Sequence, residues 1–213
     1  MIYKLFKIME ITEYEGFVFR DKEIQDRFAP QEVPRLKRDW IVPKLGDTWD
    51  CPEVIGSVSS LNDFPCVACM VPAFSSRATD VLHGMLQASG EILPLSGDGK
   101  GFFAFNVLTK ADVLNRGRSV LQWLGKSEQP MDCGIPATIE KYEFNDIDYS
   151  GYSFFRIPDD LSSIYVTQQV FETISNNNLK GFHCVKVWPN NDGKSWRERD
   201  FELDRAEKKT RSI

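Results

Sequence analysis

Cys66-Val67-Ala68-Cys69 is the one cysteine spacing in this 213-residue chain that could serve redox or metal chemistry. A redox pair works at the start of a helix, where backbone amides lower a thiol pKa, whereas these residues lie between Pro65 and Pro72 in a run that reads as extended. A structural zinc takes about four ligands, and no second Cys-x-x-Cys accompanies this one. Both thiols are therefore read as core residues. The odd set of five cysteines (Cys51, Cys66, Cys69, Cys133, Cys184) fits a reduced chain better than a disulfide framework. Of the two histidines, His83 falls in a helical apolar stripe and His183 in a strand, and neither carries a triad or metal motif around it. The glycine-rich stretch 97–101 lacks the Gly-Lys-Ser/Thr ending of a phosphate loop and precedes a strand, where a phosphate cradle needs a helix N-terminus. No catalytic residue, metal ligand or cofactor is assigned.

What remains is charge. Across 140–160 six carboxylates (Glu140, Glu143, Asp146, Asp148, Asp159 and Asp160) stand against only Lys141 and Arg156. This is either a solvated hairpin or a patch that meets a basic protein surface, and these six are the candidate partner-binding residues. The whole chain carries −5, from 26 basic and 31 acidic residues, which speaks against nucleic acid and mildly for a basic protein partner. No window approaches the roughly 18 unbroken apolar residues of a membrane span. Lys4, Lys7 and Glu10 come too early for the apolar region of a signal peptide, so a cytoplasmic location is expected.

The elements that position these residues read as one unit written twice. In the first copy Ser75 caps a helix with Ala78, Val81, Leu82, Met85 and Leu86 on one face, closed by Gly90 and followed by a strand through Leu95. In the second, Thr167 opens a helix with Val170, Phe171 and Ile174, closed within 176–181 and followed by a strand from Phe182 to Val187. A shift of 92 positions puts Ser75 on Thr167, Ala78 on Val170, Leu82 on Ile174 and Leu95 on Val187. Each hydroxyl can accept a backbone amide one turn ahead, and Val166 and Phe171 have the spacing of a hydrophobic staple. Two copies suggest two related lobes that share a core.

Around this frame, Tyr3 to Ile8 and Gly16 to Arg20 read as an N-terminal hairpin, and the charged 20–39 stretch as a solvated connector. Trp40 and Trp49 pin an irregular segment to the body. A strand over 102–108 pairs with 92–95 across the glycine-rich turn, 111–124 is a short helix broken near Gly117, and 127–136 is a surface loop. Strands over 139–144 and 152–157 pair with each other, and 195–213 is a charged tail that frays or stays disordered. The expected organisation is a hairpin and connector over 1–60, an α+β domain over 61–194 with related halves at about 72–109 and 152–188, and the tail.

Several segments resemble a known family. Leu61-Asn62-Asp63-Phe64-Pro65, Pro72-Ala73-Phe74-Ser75-Ser76-Arg77-Ala78, Gly90-Glu91-Ile92-Leu93-Pro94-Leu95, Phe102-Phe103-Ala104-Phe105-Asn106-Val107 and Asp112-Val113-Leu114 resemble the eleventh immunity-protein family of bacterial polymorphic toxin systems. Phe155-Arg156-Ile157, Ile164-Tyr165-Val166-Thr167 and Leu179-Lys180-Gly181-Phe182 are similar to its second half. The likeness covers about 61–188. It implies a small cytoplasmic protein that binds a cognate toxin domain and blocks it, and it brings no catalytic residues. Some relatives carry two Cys-x-x-Cys-Gly motifs suggestive of zinc, whereas here Met70 follows Cys69 and no second copy exists.

The expected fold is α+β, mostly antiparallel sheet with a few packed helices in two similar helix-strand lobes, and the expected function is toxin neutralisation through protein contact. The alternatives are a small enzyme with a site between the lobes, marked by a deep pocket lined with ionisable groups, and a homodimeric scaffold or regulator using aromatic residues near Trp40, Trp49 and Trp196.

Overall fold

Alternation along the first strand sets the plan of the molecule: Tyr3 and Leu5 turn to one apolar core, and Ile2 turns to another on the opposite face. The computed structural model describes residues 1–7, 16–28, 31–32, 40–59, 61–67, 71–122 and 138–211. In chain order these form β1 (Ile2–Lys7), β2 (Gly16–Phe19), α1 (Glu23–Asp26), β3 (Gln31–Glu32), β4 (Trp40–Ile41), β5 (Glu53–Ser57), β6 (Cys66–Val67) and β7 (Val71–Ser75). There follow α2 (Ser76–Ser89), β8 (Gly90–Pro94), β9 (Ser96–Gly97), β10 (Phe102–Val107), β11 (Val120–Gln122) and β12 (Thr138–Lys141). The chain ends with β13 (Phe154–Ile157), β14 (Asp160–Thr167), α3 (Gln168–Asn176), β15 (Phe182–Trp188) and α4 (Trp196–Arg211).

The fold is α+β with mostly antiparallel sheet. Seven strands run in the order β8-β10-β7-β6-β2-β5-β9, four in the order β13-β14-β1-β15, and two small pairs stand apart. Both expected lobes are present, each as strand, helix, strand. In the first, β7 and β8 each pair antiparallel with β10, which lies between them; they therefore run parallel, joined by α2. In the second, β14 and β15 run parallel on either side of β1, joined by α3. The middle strand of the first lobe follows its own β8, whereas the middle strand of the second comes from the opposite end of the chain.

The two lobes share one core. Ala78, Leu82 and Leu86 of α2 and Val170 and Ile174 of α3 meet Tyr3, Leu5, Phe74, Phe105, Phe154 and Val166 there. Phe74 is its centre, with ring centroids of Phe64, Phe105, Phe154 and Phe182 at 5.0, 5.6, 5.9 and 5.8 Å. Full burial of one such side chain stabilises by about 1.5–3 kcal/mol. A second core under β2, β5 and β10 holds Phe17, Phe19, Val54, Leu93, Leu95 and Ala104. A third covers the outer face of the four-stranded sheet with Ile2, Tyr142, Phe155, Tyr165 and Val187. The closing glycines have steric causes: a Cβ on Gly90 would sit 2.0 Å from Asn106 O, and one on Gly181, at φ +87°, would sit 2.0 Å from Asn62 Oδ1.

The helix starts differ. Ser75 Oγ accepts from Ala78 N at 3.1 Å and donates to Asp63 Oδ1 at 2.7 Å. Thr167, expected to cap in the same way, instead donates to Tyr152 O at 3.1 Å and makes no side-chain cap.

Four local expectations are corrected. The N-terminal hairpin does not form, because β1 fills the gap in the four-stranded sheet while β2 pairs with β5 and β6 of the other. The first sixty residues thus supply strands to both lobes. The strand at 139–144 does not pair with that at 152–157: β12 pairs with β11 and β13 with β14. Over 111–122 the expected helix is replaced by an irregular segment ending in β11, with Val113 and Leu114 both anchored in the third core. The tail is helical over α4, whose start is fixed reciprocally: Glu198 Oε2 accepts from Ser195 N at 2.7 Å and Ser195 Oγ accepts from Glu198 N at 3.3 Å. Pairing of β8 with β10 and the pinning of Trp49, whose Nε1 donates to Pro94 O at 2.7 Å, match expectation. The expected loop at 127–136 lies outside the described residues, as does Cys69.

Candidate binding surface

The six acidic residues do not form one patch. Asp159 is buried and paired with Arg116, so its charge is neutralised from within. Asp160 accepts from Lys4 Nζ at 2.9 Å and from Tyr165 at 2.8 Å on Oδ2, and from Ser162 Oγ at 2.9 Å on Oδ1. Glu140 accepts from Gln122 Nε2 at 2.5 Å and lies 3.6 Å from Arg197, and Glu143 pairs with Lys141 at 3.3 Å. Only Asp146 and Asp148 are exposed.

Those two flank Ile147, a residue 45% exposed, on a loop held by backbone and side-chain bonds. Asn145 N donates to Val113 O at 2.8 Å, Tyr149 OH to Asn145 O at 2.6 Å, and Ser150 N to Asp148 Oδ1 at 2.9 Å. The Ser150 amide and hydroxyl hold the Asp148 carboxyl below its ordinary pKa. Burial, followed by the charges of Tyr152 and Asp146, pushes the Tyr149 phenol up to about 12. Tyr149 packs against Tyr152 and Trp188, with centroids 6.1 and 6.0 Å away. The loop therefore offers an apolar side chain between two carboxylates in a fixed geometry.

A second feature escaped sequence reading. Lys4, on the central strand, donates to Asp160 and, at 3.2 Å, to Tyr142 OH, and lies 4.7 Å from the Trp196 ring centroid. Tyr165 completes the network, its oxygen 3.1 Å from that of Tyr142. Burial alone would raise the Asp160 carboxyl, but the Lys4 ammonium and hydrogen bonds from Ser163, Lys4 and Tyr165 outweigh it and hold it low. Burial likewise disfavours the Lys4 ammonium, yet Tyr142 and Asp160 raise its pKa. Burial pushes both phenols up.

Beside this network lies a cleft of about 470 Å³, walled by Thr138, Ile139, Leu161, Ser162, Ser163, Trp196 and Arg197 and floored by Lys4 and Asp160. It opens on the outer face of the four-stranded sheet. The space between the lobes, where an enzyme site was the alternative, holds the Phe64, Phe74, Phe105 and Phe154 cluster.

His83 is exposed on α2, and His183 is buried with Nε2 2.8 Å from Asp200 Oδ1 of α4. Cys66 is buried in the core, and burial pushes the Cys184 thiol up to about 12. Trp49 and Trp196 are half-buried against the body. The only hint of the network in the sequence was Lys4 among apolar strand residues, since its carboxylate partner stands 156 positions away. No helix among the described residues is long and apolar enough to cross a membrane. No family model matches this chain, and no curated protein matches it.

Proposed function

We propose that this protein is an immunity protein that acts in the bacterial cytoplasm, binding a cognate toxin domain and blocking it through protein contact. The observation that carries this reading is the 145–149 loop, where Asp146 and Asp148 bracket the exposed Ile147 on a backbone fixed before any partner arrives. An apolar side chain ringed by like charge suits a basic surface with an apolar hollow, and a preformed loop avoids the ordering cost of association. The motifs of 61–188 that resemble an immunity family support the same conclusion.

The test is co-expression with the toxic C-terminal domain of the neighbouring reading frame. This chain should restore growth and co-purify with that domain. Asp146→Lys with Asp148→Lys should slow association about tenfold at low salt, with the difference shrinking as salt screens it. Growth arrest despite a folded, abundant chain defeats the reading, and association kinetics indifferent to the double reversal remove the loop from it.

A further inference from the structure

We propose that the cleft between β14 and the start of α4 binds a small organic anion, a carboxylate or phosphate monoester carried on an apolar body. The proposal stands apart from toxin neutralisation. Polarity is decided by which charges an incoming group can reach. The two carboxylates of the cleft are withdrawn: the Asp159 side chain is 0% exposed behind Arg116, and that of Asp160 is 16% exposed with both oxygens engaged. Arg197, by contrast, is 52% exposed at the rim, held by Thr138 Oγ1 at 3.1 Å and only loosely by Glu140 at 3.6 Å. A ligand oxygen thus meets a guanidinium with donors to spare, in the fork geometry that suits carboxylate and phosphate.

The backing of the cleft adds to this. Arg156 is buried and donates to Leu161 O on the cleft wall at 2.5 Å. Among the residues that line the cleft, Lys4 and Arg197 stand against Asp159 and Asp160, and of these four Arg197 carries the exposed charge. The field of an exposed guanidinium is focused in a concave site with low-dielectric walls. The Thr138 hydroxyl, which accepts from Arg197, supplies a further donor, and Leu161 and the Trp196 indole supply apolar surface. The volume suits a ligand of metabolite size.

Phenyl phosphate and benzoate, with benzyl alcohol as the neutral control, would be titrated into the full-length protein while the indole N–H signals of its five tryptophans are followed by NMR. Trp196 Nε1, which donates to Ile139 O at 2.7 Å, reports on the cleft, and Trp49, anchored in the other lobe, is the internal reference. The expected result is a saturable shift at Trp196 with one or both anions and none at Trp49; the anion that saturates identifies the group. Arg197→Gln, a rim substitution that leaves the buried ion pairs intact, should weaken that response about tenfold or more. An equal response to benzyl alcohol, equal movement of Trp49, no saturation at millimolar anion, or an unchanged response in Arg197→Gln would each overturn the proposal.

Discussion

Lys4 places an ammonium on a strand whose neighbours are apolar, and its worth depends on Asp160. Removing one member of a buried pair leaves the other charged and unpaired, at about 3–5 kcal/mol, whereas replacing both with apolar groups is often neutral. Lys4→Met should therefore destabilise the protein by roughly that amount at neutral pH, and Lys4→Met with Asp160→Leu should recover most of it. The pH dependence separates this from a packing defect. In the native protein the depressed Asp160 pKa contributes stability that is present above the ordinary carboxylate range and lost as pH falls through the lowered value. Without Lys4 only the hydrogen bonds from Ser163 and Tyr165 oppose burial, so the Asp160 pKa rises from its native value and the variant should lose less stability as pH falls. Urea unfolding across acid to neutral pH measures both slopes; parallel slopes would mean that Lys4 does not govern Asp160. Sequence reading found Asp160 and missed what it does, because a carboxylate in an acidic run looks solvated until the cation folded onto it is seen.

At the level of elements, two helix starts that share a pattern differ in what their hydroxyls do. Ser75→Ala should cost about 1–2 kcal/mol, since Ser75 both caps α2 and bonds Asp63, while Thr167→Val should cost about half that or less because no cap is lost. Comparing the two denaturation midpoints tests the distinction, and equal losses would contradict it. The helix stripes were legible because Ala78, Leu82, Val170 and Ile174 recur at helical spacing and all four are buried in the shared core. The β8–β10 pairing was legible because its turn is local. Helix α4 was not: its composition is that of a solvated tail, and the Ser195–Glu198 box that starts it carries little weight beside so few apolar residues. The partners of β12 and β13 were missed for another reason, since alternation marks a strand without naming its neighbour.

For the molecule as a whole, the doubled frame could be read from the chain, but not the way the second lobe is completed. Its middle strand is β1, so Tyr3 meets Gln168 and Lys4 meets Asp160 across more than 150 residues. The seven-stranded sheet, by contrast, is drawn entirely from residues 16–107. Distant pairing is slow to find, and domains emerging from synthesis begin folding before later segments exist. At about 5–20 residues per second, β1 waits on the order of ten seconds for β15 to be made. Nascent chains halted before residue 160, and so lacking both β14 and β15, should protect amides of β7 and β10 from hydrogen exchange while leaving those of β1 open. The meeting of β1 with β14 and β15, and not the making of any one element, is then the event that closes the second lobe.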